Sequence, residues 1–273
     1  MELERFFQEF YKELALNPNL YPYYKLNHGS TSHQQFRKAY FTQRLKYIDQ
    51  HIDKSAQPAI LDCGCGYGTT CLYLAMNGIA TKGTTLEYYY EHIETRKEYW
   101  RKYGDSALFS YVYENLFDNP PAAESLDYII LQDTLHHIEP VREGLQLLYN
   151  GLKKGGKLIL IDINGNALIE SFIFFLKRGN RRIIEFYDEK LQKNIIMGNE
   201  NFRSEKEWRK LFEEAGFTVN EESINYIRFF FPTLYNANNL QQVIEKEQRI
   251  VKKHPLLKKY GFFGLNMVVE KLS

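Results

Sequence analysis

From Pro58 onward, short apolar runs alternate with helix-length amphipathic stretches, a pattern that predicts an α/β domain with a parallel sheet. Strands are expected at Ala59–Asp62, Ala80–Leu86, Ala107–Tyr113, Leu126–Leu131 and Lys157–Ile163. The nearly continuous apolar run of the fourth suits a strand buried on both faces. Helices are expected from the residues after Gly68 to Asn77, with Gly78 as C-cap, over about Tyr89–Tyr103, and over Pro140–Leu152. Ser204-Glu205-Lys206-Glu207 is a capping-box pattern that opens an amphipathic helix to Ala215. Gly216-Phe217 then begins a sixth strand, and Phe262–Glu270 is a last one. Before the sheet, apolar residues recur at helical spacing over 2–16 and again from Ser32 to Ile52, and the aromatic segment Leu20–Ser30 between them reads as an ordered loop. This divides the chain into an N-terminal helical lid (1–57), a ligand-binding core (58–164), a cap insertion (165–203) that is helical at first, and the remainder of the core (204–273) with a helical insertion at 229–262. The alternative for 1–57 is a helical pair packed on the sheet edge.

The sharpest signal is Ala59-Ile60-Leu61-Asp62-Cys63-Gly64-Cys65-Gly66-Tyr67-Gly68-Thr69-Thr70: a strand, a tight turn and the start of a helix. Glycines at alternate positions let the turn adopt backbone conformations costly for other residues and let a ligand approach the main chain. The amides at the helix start face that ligand. The spacing is not the G-x-G-x-x-G of a pyrophosphate site. Asp62, at the mouth of the loop, repels a pyrophosphate but suits a ligand carrying an ammonium group.

These residues resemble motif I of the class I S-adenosylmethionine-dependent methyltransferases. Leu152-Lys153-Lys154-Gly155-Gly156-Lys157-Leu158 is similar to that family's turn before strand five, and Glu213-Glu214-Ala215-Gly216-Phe217 to its junction into strand six. The resemblance implies a Rossmann-like, seven-stranded, mostly parallel sheet with helices on both faces and an antiparallel last strand. It implies S-adenosyl-L-methionine as cofactor and S-adenosyl-L-homocysteine as product. Asp62 and the loop residues Gly64, Cys65, Gly66 and Gly68 are expected at the methionine end of the cofactor. The family's ribose-binding acid falls at Thr85, a departure shared with cyclopropane fatty acid synthases, so Thr85 is expected at the ribose with Glu87 as the alternative. Glu114, Asn115 and Leu116 match the adenine-binding segment, and Asp133 is a further expected cofactor contact. After strand four, His137, and less so His136, is the expected substrate contact or base, because histidine can accept a proton from a hydroxyl near neutral pH.

Composition narrows the acceptor. A net charge of +1 gives no reason to expect nucleic acid, and 44% hydrophobic with 25% charged residues is the balance of a soluble globular protein. Cys63, Cys65 and Cys71 are odd in number and crowded at one loop, so neither a disulfide framework nor a metal site is expected. The N-terminus lacks a signal-peptide pattern and no apolar run reaches membrane-spanning length, so a cytoplasmic location is expected. An aromatic content of 15% supports an aromatic-lined pocket for a small hydrophobic or aromatic acceptor, with O-methylation favoured. Tyr23, Tyr24, His28 and Phe172 are the expected substrate-binding residues. The basic stretch Lys177, Arg178, Arg181, Arg182 suits a phosphate, a carboxylate or peripheral contact with an anionic membrane, unless it is simply a solvated face. Two alternatives stand: a lipid-modifying enzyme similar to cyclopropane synthases, and a cofactor-binding scaffold without catalysis.

Overall fold

The computed structural model describes residues 1–26 and 30–272. The N-terminal segment forms α1 (Leu3–Leu16), a single helical turn α2 (Tyr21–Tyr24) where a loop is expected, and α3 (Thr31–His51). The core follows as β1 (Ile60–Cys63), α4 (Thr69–Ala75), β2 (Thr81–Thr85), α5 (His92–Trp100), β3 (Phe109–Tyr113), β4 (Leu126–Gln132), α6 (Val141–Gly151) and β5 (Leu152–Ile163). The cap contains α7 (Leu168–Arg178) and then β6 (Ile183–Asp188) and β7 (Lys193–Gly198). The chain closes with α8 (Glu205–Glu214), β8 (Thr218–Ile227), α9 (Leu240–Lys253), α10 (Pro255–Gly261) and β9 (Gly264–Glu270). The capping box forms as expected: Ser204 accepts from the Glu207 amide while the Glu207 side chain accepts from the Ser204 amide.

The main sheet has seven strands in the order β3-β2-β1-β4-β5-β9-β8, parallel except for β9, which runs against both its neighbours. Strand order therefore reverses between β1 and β4, and ligands of such sheets sit outside the carboxyl ends at that point. The two-residue period of a strand distributes the core. Ile130 of β4 and Ile159 of β5 join an apolar cluster with Phe6, Ile48 and Trp100, while Ile129, Leu131, Leu158 and Leu160 join one with Leu148, Trp208 and Phe212 on the other face. Among the described residues no helix is long and apolar enough to cross a membrane.

The cap is helical at first, as expected, with α7. Its second half is the antiparallel hairpin β6–β7, paired from Ile183↔Gly198 to Asp188↔Lys193. Apolar residues on both faces of Ile183–Tyr187 obscured the strand alternation. The cap is fixed to the core by Ile138, which bridges to Met197, by Tyr113, whose hydroxyl donates to Asp188 at 2.7 Å, and by the buried Glu139, which accepts from Asn201 and Arg203, each at 2.6 Å.

The N-terminal segment is bound to the core by buried polar groups as well as by packing. Arg96 of α5, fully buried, forms a two-pronged ion pair with Glu13 of α1 (2.7 and 2.9 Å), and Trp100 Nε1 donates to the same carboxylate at 2.8 Å. The guanidinium also donates to the Tyr24 hydroxyl, the Tyr67 carbonyl and the Thr69 hydroxyl at 2.8, 2.6 and 3.0 Å. Removing one partner leaves a buried charge unmatched, so Glu13→Ala is expected to cost about 3–5 kcal/mol. Urea unfolding followed by tryptophan fluorescence measures this, and an unchanged midpoint would show that the pair contributes nothing.

Candidate active site

The turn after β1 is held by its own backbone: the Gly64 and Cys65 amides both donate to the Thr84 carbonyl of β2, at 2.9 and 2.8 Å. Gly64 has φ +82° and Gly66 φ +55°, and a Cβ at either would lie 2.4 Å from the Thr134 side chain or 1.9 Å from the Tyr23 hydroxyl. Only glycine satisfies both the conformation and the space. Beneath the turn Asp62 is 2% exposed. Cys71 Sγ donates to its Oδ2 at 3.3 Å, and its Oδ1 has no hydrogen-bond partner. Burial pushes the Asp62 carboxyl up to about 7, against smaller lowering effects from Cys71 and Arg44. A buried, unpartnered acceptor lining a cavity marks a place for a ligand's positive group.

The cavity spans about 940 Å³ across the carboxyl ends of the strands, near the upper end of the roughly 300–1,000 Å³ usual for small-molecule sites. Gly64, Cys65 and Gly66 line it, whereas Gly68 sits at the N-cap of α4 outside the lining. Thr85 and Glu87 both line it from the end of β2. The Thr85 hydroxyl already accepts from the Glu87 amide at 3.1 Å, while burial alone acts on the Glu87 carboxyl and raises its pKa. Glu114, Asn115 and Leu116 line the adjoining wall. Lys82 pairs with Glu114 at 2.9 Å, and Asn115 Oδ1 accepts from the Phe117 amide at 2.9 Å, which leaves the amide nitrogen of its side chain available.

The ends of β4 and β5 bring together two histidines and two carboxylates. His136 is buried, and its Nδ1 lies 2.5 Å from Asp162 Oδ1 at the end of β5; its Nε2 is 3.6 Å from Glu200. Burial alone would lower the pKa of His136, but Asp162, reinforced by Asp133 and Glu200, raises it above the usual imidazole value. His137 bonds through Nδ1 to the Gly198 carbonyl of β7 at 2.8 Å, and its pKa is lowered by burial and by the neighbouring His136 charge. Asp133, at φ +51°, accepts from Arg44 at 2.8 Å and from the Tyr40 hydroxyl at 3.1 and 3.3 Å. Burial raises its pKa, yet Arg44, with His136 and Arg228, outweighs that and holds it below the usual carboxylate value.

Tyr23 and Tyr24 line the cavity, and His28 lies outside the described residues. Phe172 does not reach the site: it is 61% exposed on the outer side of α7, and Phe174, two residues on, lines the cavity in its place. Sequence reading missed Asp162, Arg44 and Glu200. Only Asp162 had a local signal, an acid at the carboxyl end of a buried strand.

This strand order, glycine turn and cavity define the class of an S-adenosylmethionine-dependent methyltransferase domain. Residues 33–222 match the family described as a methyltransferase domain, and the chain belongs to it. The family's cofactor, S-adenosyl-L-methionine, fits the glycine cradle and the unpartnered Asp62 oxygen. Among relatives, an O-methyltransferase of Aspergillus sclerotiorum is 27% identical over 124 residues, 45% of this chain and 46% of that protein. The chain spans less than half the length of the curated relatives it matches. In fold it is similar to an S-adenosylmethionine-dependent methyltransferase of Methanosarcina mazei (TM-score 0.55, 18% identity, 82% of this chain and 96% of that one). It is also similar to phosphoethanolamine N-methyltransferase 2 of Haemonchus contortus, solved with S-adenosyl-L-methionine (TM-score 0.51, 14% identity, 79% of this chain and 49% of that one).

Proposed function

We propose that the chain methylates an oxygen of a small hydrophobic or aromatic acceptor, with His136 as general base. The observation that carries this reading is the buried His136–Asp162 pair at the cavity wall. S-adenosylmethionine, when bound, supplies an already activated methyl group, so the protein needs to orient, exclude water and manage one proton. Asp62 would receive the ammonium of the cofactor's amino-acid tail. Glu87 would accept the ribose hydroxyls, in preference to Thr85, because a carboxylate offers two oxygens and the Thr85 hydroxyl already serves the Glu87 amide. Leu116 would pack on the adenine, with the Asn115 amide beside it.

His136, rather than the His137 favoured by sequence, suits the role of base. With Nδ1 hydrogen-bonded to Asp162, Nε2 carries the lone pair and takes the acceptor's hydroxyl proton; the resulting imidazolium is stabilised by the Asp162 carboxylate. His137 is oriented by a backbone carbonyl instead, with no carboxylate on its ring. The likeness to an O-methyltransferase supports the choice of oxygen as acceptor atom.

His136→Ala is expected to lower kcat roughly 100- to 10,000-fold with a phenolic acceptor while S-adenosylhomocysteine still binds. Because the base works deprotonated, activity should rise with pH through the raised His136 pKa. Asp162→Asn should move that acid limb to lower pH as well as slow turnover. An Asp162→Asn profile identical to the parent would exclude the dyad.

The Asp62 assignment has its own pH signature. An ammonium group favours the carboxylate, so binding must expel the proton that Asp62 holds below about 7. Affinity for S-adenosylhomocysteine should therefore weaken as pH falls below about 7, approaching tenfold per pH unit, with proton release seen by calorimetry in buffers of different ionisation enthalpy. Asp62→Asn should bind more weakly and lose this slope; a slope that survives would place the titrating group elsewhere.

A further inference from the structure

Beside the dyad, the cavity wall carries more positive charge than its carboxylates balance. Arg37 and Arg44 lie two turns apart on one face of α3, Lys25 follows α2, and Arg228 follows β8 with φ +67°; all four line the cavity. Arg44 is matched by Asp133, but Arg37 is not. It is 8% exposed, its Nε donates to the Tyr24 carbonyl at 3.2 Å, and its terminal nitrogens have no partner among the described residues. Arg228 forms no ion pair among those residues. It lies against aromatic rings, 3.8 Å from the centre of Phe263 and 4.1 Å from that of Tyr40, and its buried Nε is unpartnered. The Lys25 ammonium likewise has no ion-pair partner among the described residues. The carboxylates within electrostatic reach are Asp133, already held by Arg44 and Tyr40, Glu200, near Lys25 and His136, and Glu170, near Arg228.

Burying guanidinium groups side by side without an anion is unfavourable. Burial, followed by the charge of Arg228, lowers the Arg37 pKa to about 10. The cofactor's own carboxylate does not account for both groups. Placed with its ammonium at Asp62, the cofactor brings one carboxylate to a wall that holds both guanidinium groups, so at least one of them is left for another anion. Rings packed on the guanidinium face leave in-plane N–H groups for a ligand, the Nε of Arg228 among them although the group also meets the Tyr40 hydroxyl, a geometry matched to a carboxylate or phosphate.

We propose that the methyl acceptor is an anion whose carboxylate or phosphate is held by Arg37 and Arg228, with Lys25 beside them, on the α3 side of the cavity. This deepens the O-methylation reading and rests on it only for the direction of the acceptor's hydroxyl, toward His136.

The test is binding to protein saturated with S-adenosylhomocysteine, which requires no turnover. Calorimetric titrations use para-hydroxybenzoate, para-hydroxyphenyl phosphate and neutral para-hydroxybenzamide. At least one anion should bind roughly 10- to 100-fold more tightly than the amide, the worth of a charge-assisted hydrogen bond. Whichever anion binds more tightly identifies carboxylate or phosphate as the preferred group. Arg37→Gln and Arg228→Gln should abolish the preference while S-adenosylhomocysteine binding persists. Arg37→Lys and Arg228→Lys, which retain charge but not the fork, should restore part of it and serve if a glutamine variant does not fold. His136→Ala should keep the preference and lose turnover, so failure of the base and failure of the anion site give different results. Equal binding of amide and anions, absence of anion binding, or arginine variants that weaken S-adenosylhomocysteine instead would each overturn the proposal.

Discussion

The buried guanidinium of Arg96 holds the N-terminal segment and the cofactor turn in one arrangement. It reaches α1 through Glu13, α2 through the Tyr24 hydroxyl, and the glycine turn through the Tyr67 carbonyl and the Thr69 hydroxyl. Burial opposes its charge, but Glu13 and Tyr24 outweigh this and keep its pKa above the usual arginine value. Such a group is stable only with every partner present, because a low dielectric penalises partial satisfaction severely. The aromatic residues of α1 and α2 complete the arrangement: Phe6 stacks on Trp100 with centroids 4.6 Å apart, and Phe10 meets Tyr24 edge-on at 5.0 Å. The helices before the sheet thus form one wall of the cavity and hold its floor in place.

Within that frame, similar groups acquire different chemistry from their surroundings. Asp62 and Glu87 are raised by burial, whereas Asp133 is lowered because Arg44 outweighs the same effect. The adjacent histidines also diverge: His136 has a carboxylate on its ring and rises, while His137 has a backbone carbonyl and falls. Pairs of titratable groups whose environments separate their pKa values assign acid and base roles.

The parts of this design encoded locally were legible in the sequence. Apolar runs and turn residues gave the strand–helix alternation, and the motif from Asp62 to Gly68 gave the cofactor class. Ser204 to Glu207 marked a helix start that formed at that position. What required the third dimension was long-range or rotational. Asp162 meets His136 only because β4 and β5 pair in register, Gln132 opposite Ile161, bringing their carboxyl ends together. Arg37, Arg44 and Arg228 converge from segments almost two hundred residues apart. Phe172 and Phe174 could not be distinguished in sequence because α7 is apolar around most of its circumference, and packing alone decides which side turns inward. The hairpin of the cap was obscured for a similar reason: apolar residues on both faces of β6 hide the strand period.

That same helix has a thermodynamic consequence. None of its residues is buried, and Leu168, Ile169, Phe172 and Leu176 are each more than half exposed. A helix that buries so little apolar surface is held weakly, so its detachment requires far less free energy than unfolding of the sheet beneath it. Local opening is therefore expected to begin at α7, while the hairpin that follows it stays tied to the core through Asp188 and the Glu139 contacts of Asn201 and Arg203.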